Sequence, residues 1–409
     1  MPDADTPAPR RTFAPGLVHI TLALGGFAIG TTEFATMSLL PDFSRGLGVD
    51  APTGGHVISA YAFGVVVGAP LLAVLGARMS RRMLLVLLMA AFAVGNALSA
   101  VAPSFRVLLI FRFLAGLPHG AYFGTAALVA ASLVPPERRT MAVGRVMLGL
   151  TVATIIGVPL ANALGHWLGW RWGFGIVAII AVLTALLVLA IAPADPPAQG
   201  ASPLRELTAL RRGQVWLTLA IGAIGFGGMF AVYTYLASTL SQVTHAPDYG
   251  LTLVLTVFGV GLTLGNLIVP RFADRALMPT AGGLLVWSAV SLALYPFAAG
   301  HLWSITLAVL AIGIGGALGT VLQTRLMDVA GDAQGLAAAL NHSAFNTANA
   351  LGPLLGGMAI AAGYGWTSTG WVGCGLALGG LTIWGIAVLA DRATGSKHDG
   401  DFRLAGSKL

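Results

Sequence analysis

Twelve runs of about twenty or more mostly apolar residues fill this chain, and they leave it few ways to fold. The runs cover 17–40, 54–76, 83–103, 106–133, 141–165, 172–192, 214–240, 250–270, 280–299, 302–326, 335–362 and 367–390. A helix needs about 20 apolar residues to cross a bilayer. In hydrocarbon a backbone must satisfy its own polar groups, and runs of this length do so as helices. Only 9% of the 409 residues are charged, against roughly 25% in a soluble domain. The expected fold is an all-α membrane protein with twelve transmembrane helices.

Most connections are short. The exception is 193–213, which holds Pro193, Pro196, Pro197, Pro203 and the basic pair Arg211 and Arg212. Such composition marks a linker. It divides the chain into a six-helix bundle over 1–192 and a second over 214–409. Weak internal matches relate the two halves. Phe63-Gly64 resembles Phe258-Gly259, Pro159 resembles Pro353, and Ala77-Arg78 resembles Asp274-Arg275, at offsets of 194 to 197. The offsets predict a pseudo-two-fold arrangement, with a site near the midplane between the halves.

Basic residues set the orientation. Seventeen arginines and lysines fall on the side of the termini and linker, and Arg45, Arg106 and Arg171 on the other. The expectation is both termini in the cytoplasm. The net charge of +7 is then a topological signal, and nucleic acid is not an expected partner. Lys397 and Lys408 are the lysines beside twenty arginines, a bias that fits a GC-rich bacterium and its inner membrane. The first apolar run exceeds a signal-peptide core, so it reads as a retained span. The terminal Ser-Lys-Leu matches a peroxisomal address, and a three-residue match on such a chain reads as chance. Cys374 is the single cysteine, so no internal disulfide forms. No phosphate-binding loop or zinc-protease pair is present. No cofactor, metal or enzymatic activity is expected.

Glu33 is the one acidic residue deep inside an apolar run without a turn signal beside it. An acid there costs on the order of 2.5 to 3.5 kcal/mol by insertion scales. It must be protonated, paired or reached by water. Arg112 and His119 lie seven residues apart in the fourth run, and so project within about 20° of each other on a helix. Arg112 and Glu33 each sit roughly 10 Å below the outer surface, at about 1.5 Å per residue, a depth at which they can pair. The alternatives are a static, neutral Glu33 and a His119 that only satisfies a backbone kinked at Pro118.

Between the halves, Phe226, Phe230, Tyr233, Tyr235, Asn266, Gln323, Asn341, His342, Asn346 and Asn349 are candidates to line a substrate site. Polar side chains in hydrocarbon face the bundle interior, where some hold helices together and some touch ligand. Spacing alone does not choose, although Asn346 and Asn349 share a face.

Several motifs occur together. Span 1 reads Gly30-Thr31-Thr32-Glu33-Phe34 and then Leu39-Leu40-Pro41-Asp42; span 4 reads Phe111-Arg112-Phe113-Leu114-Ala115-Gly116 and then Pro118-His119-Gly120. Span 5 ends in Gly157-Val158-Pro159-Leu160, and span 11 reads Asn341-His342-Ser343-Ala344-Phe345-Asn346. With these motifs the chain resembles the major facilitator superfamily, and within it the twelve-span drug/proton antiporters, notably the sugar-efflux, arabinose-efflux and chloramphenicol-resistance permeases. The resemblance implies a monomeric, proton-coupled exporter of small organic molecules. It makes Glu33 the acid that protonates and Arg112 the embedded arginine tied to proton coupling. His119, which titrates near neutrality when unperturbed, is a candidate relay. It implies gating by the loop after span 2, with Arg78, Arg81 and Arg82, and by Asp274 and Arg275 in the second copy. Ala77 stands where the family pattern has aspartate, so the first copy lacks its acidic latch. The small residues Gly149 and Gly157, with Pro159, imply close packing of span 5. A proton-coupled importer or facilitator of sugars or nucleosides is the alternative, and a non-transporting membrane sensor is a third.

Overall fold

The computed structural model describes residues 13–49, 51–194, 202–247 and 249–406. Arg10, Arg11, Pro196, Pro197 and the terminal Ser-Lys-Leu lie outside the described residues. Among the described residues, eleven helices are long and apolar enough to cross a membrane: α1 (Pro15–Ser38), α2 (His56–Arg78), α3 (Arg81–Ala100), α4 (Phe105–Ser132), α5 (Pro136–Gly165), α6 (Arg171–Ile191), α7 (Gly213–Gln242), α8 (Gly250–Ala273), α9 (Leu277–Ala298), α10 (Leu302–Val329) and, last of them, α12 (Ser368–Ala393). Between the last two lies α11 (Gln334–Ala359), which has the length, 26 residues, without the same apolarity. Its Asn341, His342 and Asn346 are buried inside the protein. Neighbouring helices shield those groups from hydrocarbon, which is the condition for a polar helix in a bilayer.

The first apolar run stops two residues short of its expected end. Leu39 forms a turn, and a separate helix, Leu40–Leu47, begins with a proline in its first turn. Proline costs nothing there, because the first-turn N–H has no helical partner anyway. Part of the expected linker is ordered as a short helix, Pro203–Glu206, followed by a 3-10 turn, Leu207–Arg211. Wide π-type turns interrupt α5 at Ala153–Gly157 and α7 at Ile221–Gly225. Such turns bend a helix and often mark functional sites.

The same helix pairings recur in each half. Helix α1 packs on α5, α2 on α4 and α3 on α6; α7 packs on α11, α8 on α10 and α9 on α12. A methyl added at Gly64 would overlap the Phe113 carbonyl of α4, and one at Gly261 would overlap the Leu310 carbonyl of α10. Gly116 against Tyr61 and Gly313 against Phe258 form the matching pair. All four correspondences have an offset of 197, as from Gly64 to Gly261. This corrects the Phe63–Phe258 match by two residues. Tyr61 is the counterpart of Phe258; both are buried at 3%, whereas Phe63 is 62% exposed. The halves meet along α5 with α8 and α10, and along α11 with α2 and α4. Toward the linker side this seam is tight: a Cβ at Gly124 of α4 would lie 2.6 Å from the Ala339 nitrogen of α11.

Candidate functional site

A cavity of about 830 Å³, counted with its open mouth, lies between the halves. Glu33 and Phe34 of α1 form part of its wall, opposite Tyr233 of α7 and Phe258 of α8. Glu33 also lines a second cavity of about 240 Å³, together with Tyr61 and Arg112. The glutamate therefore stands where the two spaces meet. Arg112 is almost wholly buried, at 1% exposure. It donates from Nη1 to the Thr32 hydroxyl at 3.1 Å and to Asn96 Oδ1 at 3.4 Å. Its guanidinium carbon lies 4.4 Å from the Tyr61 ring centroid and 5.1 Å from that of Phe174. Cation–π contact gains strength when the charge is desolvated. The arginine is thus held beside Glu33 by polar and aromatic partners. Among the described residues, no ion pair joins the two, although their depth made pairing an expectation. Its Nε has no hydrogen-bond partner.

Tyr61 connects this pair to His119. Its ring carries Arg112, and its hydroxyl shares a 2.9 Å hydrogen bond with His119 Nδ1. His119 is buried and faces the large cavity. Its ring centroid lies 5.2 Å from that of His342, across the seam. His342 in turn stacks on Phe123, at 4.4 Å and 13°. Glu33, Arg112, Tyr61, His119 and His342 thus form a contiguous series from α1 to α11. Sequence reasoning missed Tyr61 and Asn96. The signal for Asn96 was an amide inside an apolar run, and for Tyr61 an aromatic ring with a polar tip about one turn before Gly64.

Phe226, Phe230, Tyr233, Asn346, Asn266, His342 and Asn349 reach the large cavity. Asn266 is fixed by a hydrogen bond accepted from Thr320, 2.5 Å long. Gln323 and Asn341, expected to contact substrate, lie elsewhere. Asn341 Nδ2 donates to Gln323 Oε1 at 2.7 Å, and Gln323 Nε2 donates to the Ala338 carbonyl at 2.9 Å. Each is buried at 1% or less, so the pair fastens α10 to α11. Tyr235 likewise turns away, donating to the Pro353 carbonyl at 2.9 Å. Asn341→Ala is expected to lower stability by about 0.6 to 2 kcal/mol, the worth of an interhelical hydrogen bond in a membrane. Substrate affinity should be unchanged. Thermal unfolding in detergent beside a binding isotherm checks this; weaker binding at unaltered stability would return Asn341 to the substrate site.

A family model, Major Facilitator Superfamily, matches residues 22–314 and 236–406. The chain belongs to the major facilitator superfamily. It is 40% identical over 349 residues to the inner membrane transport protein YdhP of Escherichia coli (strain K12), covering 85% of this chain and 90% of that protein. It is 36% identical over 344 residues to the chloramphenicol resistance protein of Streptomyces lividans, covering 82% and 86%. Among solved structures, FucP in the outward conformation superposes with a TM-score of 0.74 at 15% identity, over 91% of this chain and 98% of that one. That likeness bears on the fold alone. The protein is accordingly a multi-pass membrane transporter of small molecules, and not an enzyme.

In this transporter the predicted gating residues are placed at the linker end of the seam. Asp274 follows α8 and accepts from the Thr140 N–H at 2.7 Å and the Met141 N–H at 3.2 Å. These are orphan donors in the first turn of the α-helical part of α5, whose N-cap, Arg138, supplies no side-chain bond. A carboxylate there satisfies both the donors and the helix dipole. Among the described residues, Arg78, Arg81, Arg82 and Arg275 form no ion pair. Gly149 admits the backbone of α1 at Ala23, Gly157 admits the Thr31 hydroxyl, and Pro159 follows the wide turn of α5.

Proposed function

We propose that this transporter exchanges protons for small organic molecules, moving the latter out of the cell, with Glu33 as the proton site. The observation that carries the reading is a titratable carboxyl in the wall of the cavity between the halves, beside the buried, fixed charge of Arg112. Burial favours the protonated acid, whereas a nearby cation favours the carboxylate. A change of water access or of substrate occupancy therefore tips the balance. His119 and Tyr61 extend the polar path from that acid toward the seam. Substrate would lie against the aromatic wall of Phe226, Phe230 and Tyr233, with Asn346 offering a polar contact. Asp274 would hold the linker side shut, with Arg78, Arg81, Arg82 and Arg275 at the same gate.

Outward movement is supported by likeness to a chain named for chloramphenicol resistance, because a transporter confers resistance to a compound by removing it. The charge asymmetry puts the linker side in the cytoplasm. In that frame the chain is a monomer of the bacterial inner membrane, sealed here toward the cytoplasm. One proton per cycle is the simplest count for one embedded acid.

The test uses inside-out vesicles with an acidified lumen and a pH-sensitive dye. Adding sugars, phenicols or cationic dyes in turn is expected to release luminal protons for the transported compound. Substrate flux that leaves the proton gradient untouched would refute exchange and identify a facilitator.

A further inference from the structure

The contact of Asp274 with α5 has a counterpart that the repeat does not supply in the ordinary way. By the pseudo-two-fold, a residue in the last turn of α2 should reach the start of α11 as Asp274, just after α8, reaches the start of the α-helical part of α5. The position 197 residues before Asp274 is Ala77, which has no acceptor to offer. Helix α11 also lacks a cap of its own, since Ala333 precedes it. Its first-turn donors are nevertheless met. Glu206 Oε2, on the linker helix Pro203–Glu206, accepts from the Leu336 N–H at 2.7 Å, and the Gly335 N–H also reaches that carboxylate. Gly335 and Leu336 are the second and third residues of α11, as Thr140 and Met141 are of the helix from Arg139. The linker helix packs against both Gly76–Arg78 and the start of α11. It occupies the place from which residue 77 would have to act.

We propose that Glu206 of the linker is a positioning residue of the transport cycle, latching the linker side of the seam at α11 as Asp274 does at α5. Its surroundings suit the role. Burial raises the Glu206 carboxyl above the ordinary glutamate range, while the Leu336 N–H, Arg81, Arg205 and the Gly335 N–H act to lower it. Arg205 is itself tied to Asp332, just before α11, at 2.6 Å. Two contacts thus bind the linker helix to the second half while it rests on the first. The linker is more than a tether: its acid completes a latch for which the first copy of the repeat has no acid of its own.

The experiment uses the full chain in lipid nanodiscs with Cys374 replaced by Ala. Spin labels are placed at Glu137 and Ala276, which are exposed on opposite sides of the seam. Glu206→Ala is expected to shift the ratio of short to long distances about tenfold toward the separated form. Glu206→Gln keeps an acceptor without the charge, and should shift it less, in the same direction. Adding Ala77→Asp to Glu206→Ala should restore the short distance, since an acid then stands at the symmetric position. Thermal midpoints separate a latch from general destabilisation. Unchanged distances in both Glu206 variants would overturn the proposal. So would separation that Ala77→Asp fails to reverse, because Glu206 would then be acting through the linker's own structure. The measurement needs neither substrate nor proton gradient, so it stands or falls apart from proton exchange.

Discussion

Glu33→Gln should abolish uphill transport. The amide matches the shape of the protonated acid and cannot lose the proton, so the transporter would be confined to one half of its cycle. The size of the effect follows from the membrane potential. One elementary charge is worth about 2.3 kcal/mol per 100 mV, which corresponds to roughly a fifty-fold concentration ratio of a neutral substrate exchanged for one proton. In proteoliposomes at such a potential, wild type should approach that ratio and Glu33→Gln should stay near unity. Binding of a neutral substrate should survive, because the aromatic wall is untouched. A Glu33→Gln variant that still concentrates substrate would remove Glu33 from coupling and leave it a structural group beside Arg112. Arg112→Lys is expected to fail as well. Arg112 spans Thr32 and Asn96 while lying over Tyr61, and a lysine cannot copy that planar geometry.

A single methyl group should have two different consequences at two glycines. At Gly149 the added carbon would overlap the Ala23 carbonyl of α1. Both backbones belong to one half, where α1 and α5 are packed along much of their length. Neither can move without unpacking the other, so Gly149→Ala should cost about 1 to 3 kcal/mol or more of stability, as overpacking does. At Gly124 the carbon would lie 2.6 Å from the Ala339 nitrogen, in the other half. Here the halves can part while each stays folded. Gly124→Ala should therefore leave thermal stability nearly unchanged and expose the linker side of the seam. Thiol labelling of a cysteine placed at Ala339 reads this directly. Faster labelling with an unaltered melting midpoint is the expected pair of results. A collapse in stability at Gly124 would show that the seam is part of the folding core and not a moving boundary.

Much of this molecule was legible without coordinates. The pattern of apolar runs marked the twelve helices, including α11, which is less apolar than the rest. Glu33 and Arg112 stood out because charge in hydrocarbon is costly, so its presence needs an explanation. The repeat was visible too, but in the wrong register for α2. Phe63 and Phe258 look alike in sequence, yet one faces outward and the other packs at 3% exposure. Two residues on a helix turn a side chain by about 200°, which reverses the face it presents.

The sequence alone determined the architecture, because a bilayer penalises every unpaired backbone group and so turns composition into topology. It also determined which polar groups needed partners. Tertiary structure alone decided who those partners are. Tyr61 meets His119 across 58 residues, Arg112 meets Thr32 across 80, and Glu206 meets Leu336 across 130. It made Gln323 and Asn341 a brace between helices and left Asn346 in the cavity wall. Helical periodicity tells which residues share a face; what each face meets is settled only when all the helices pack at once.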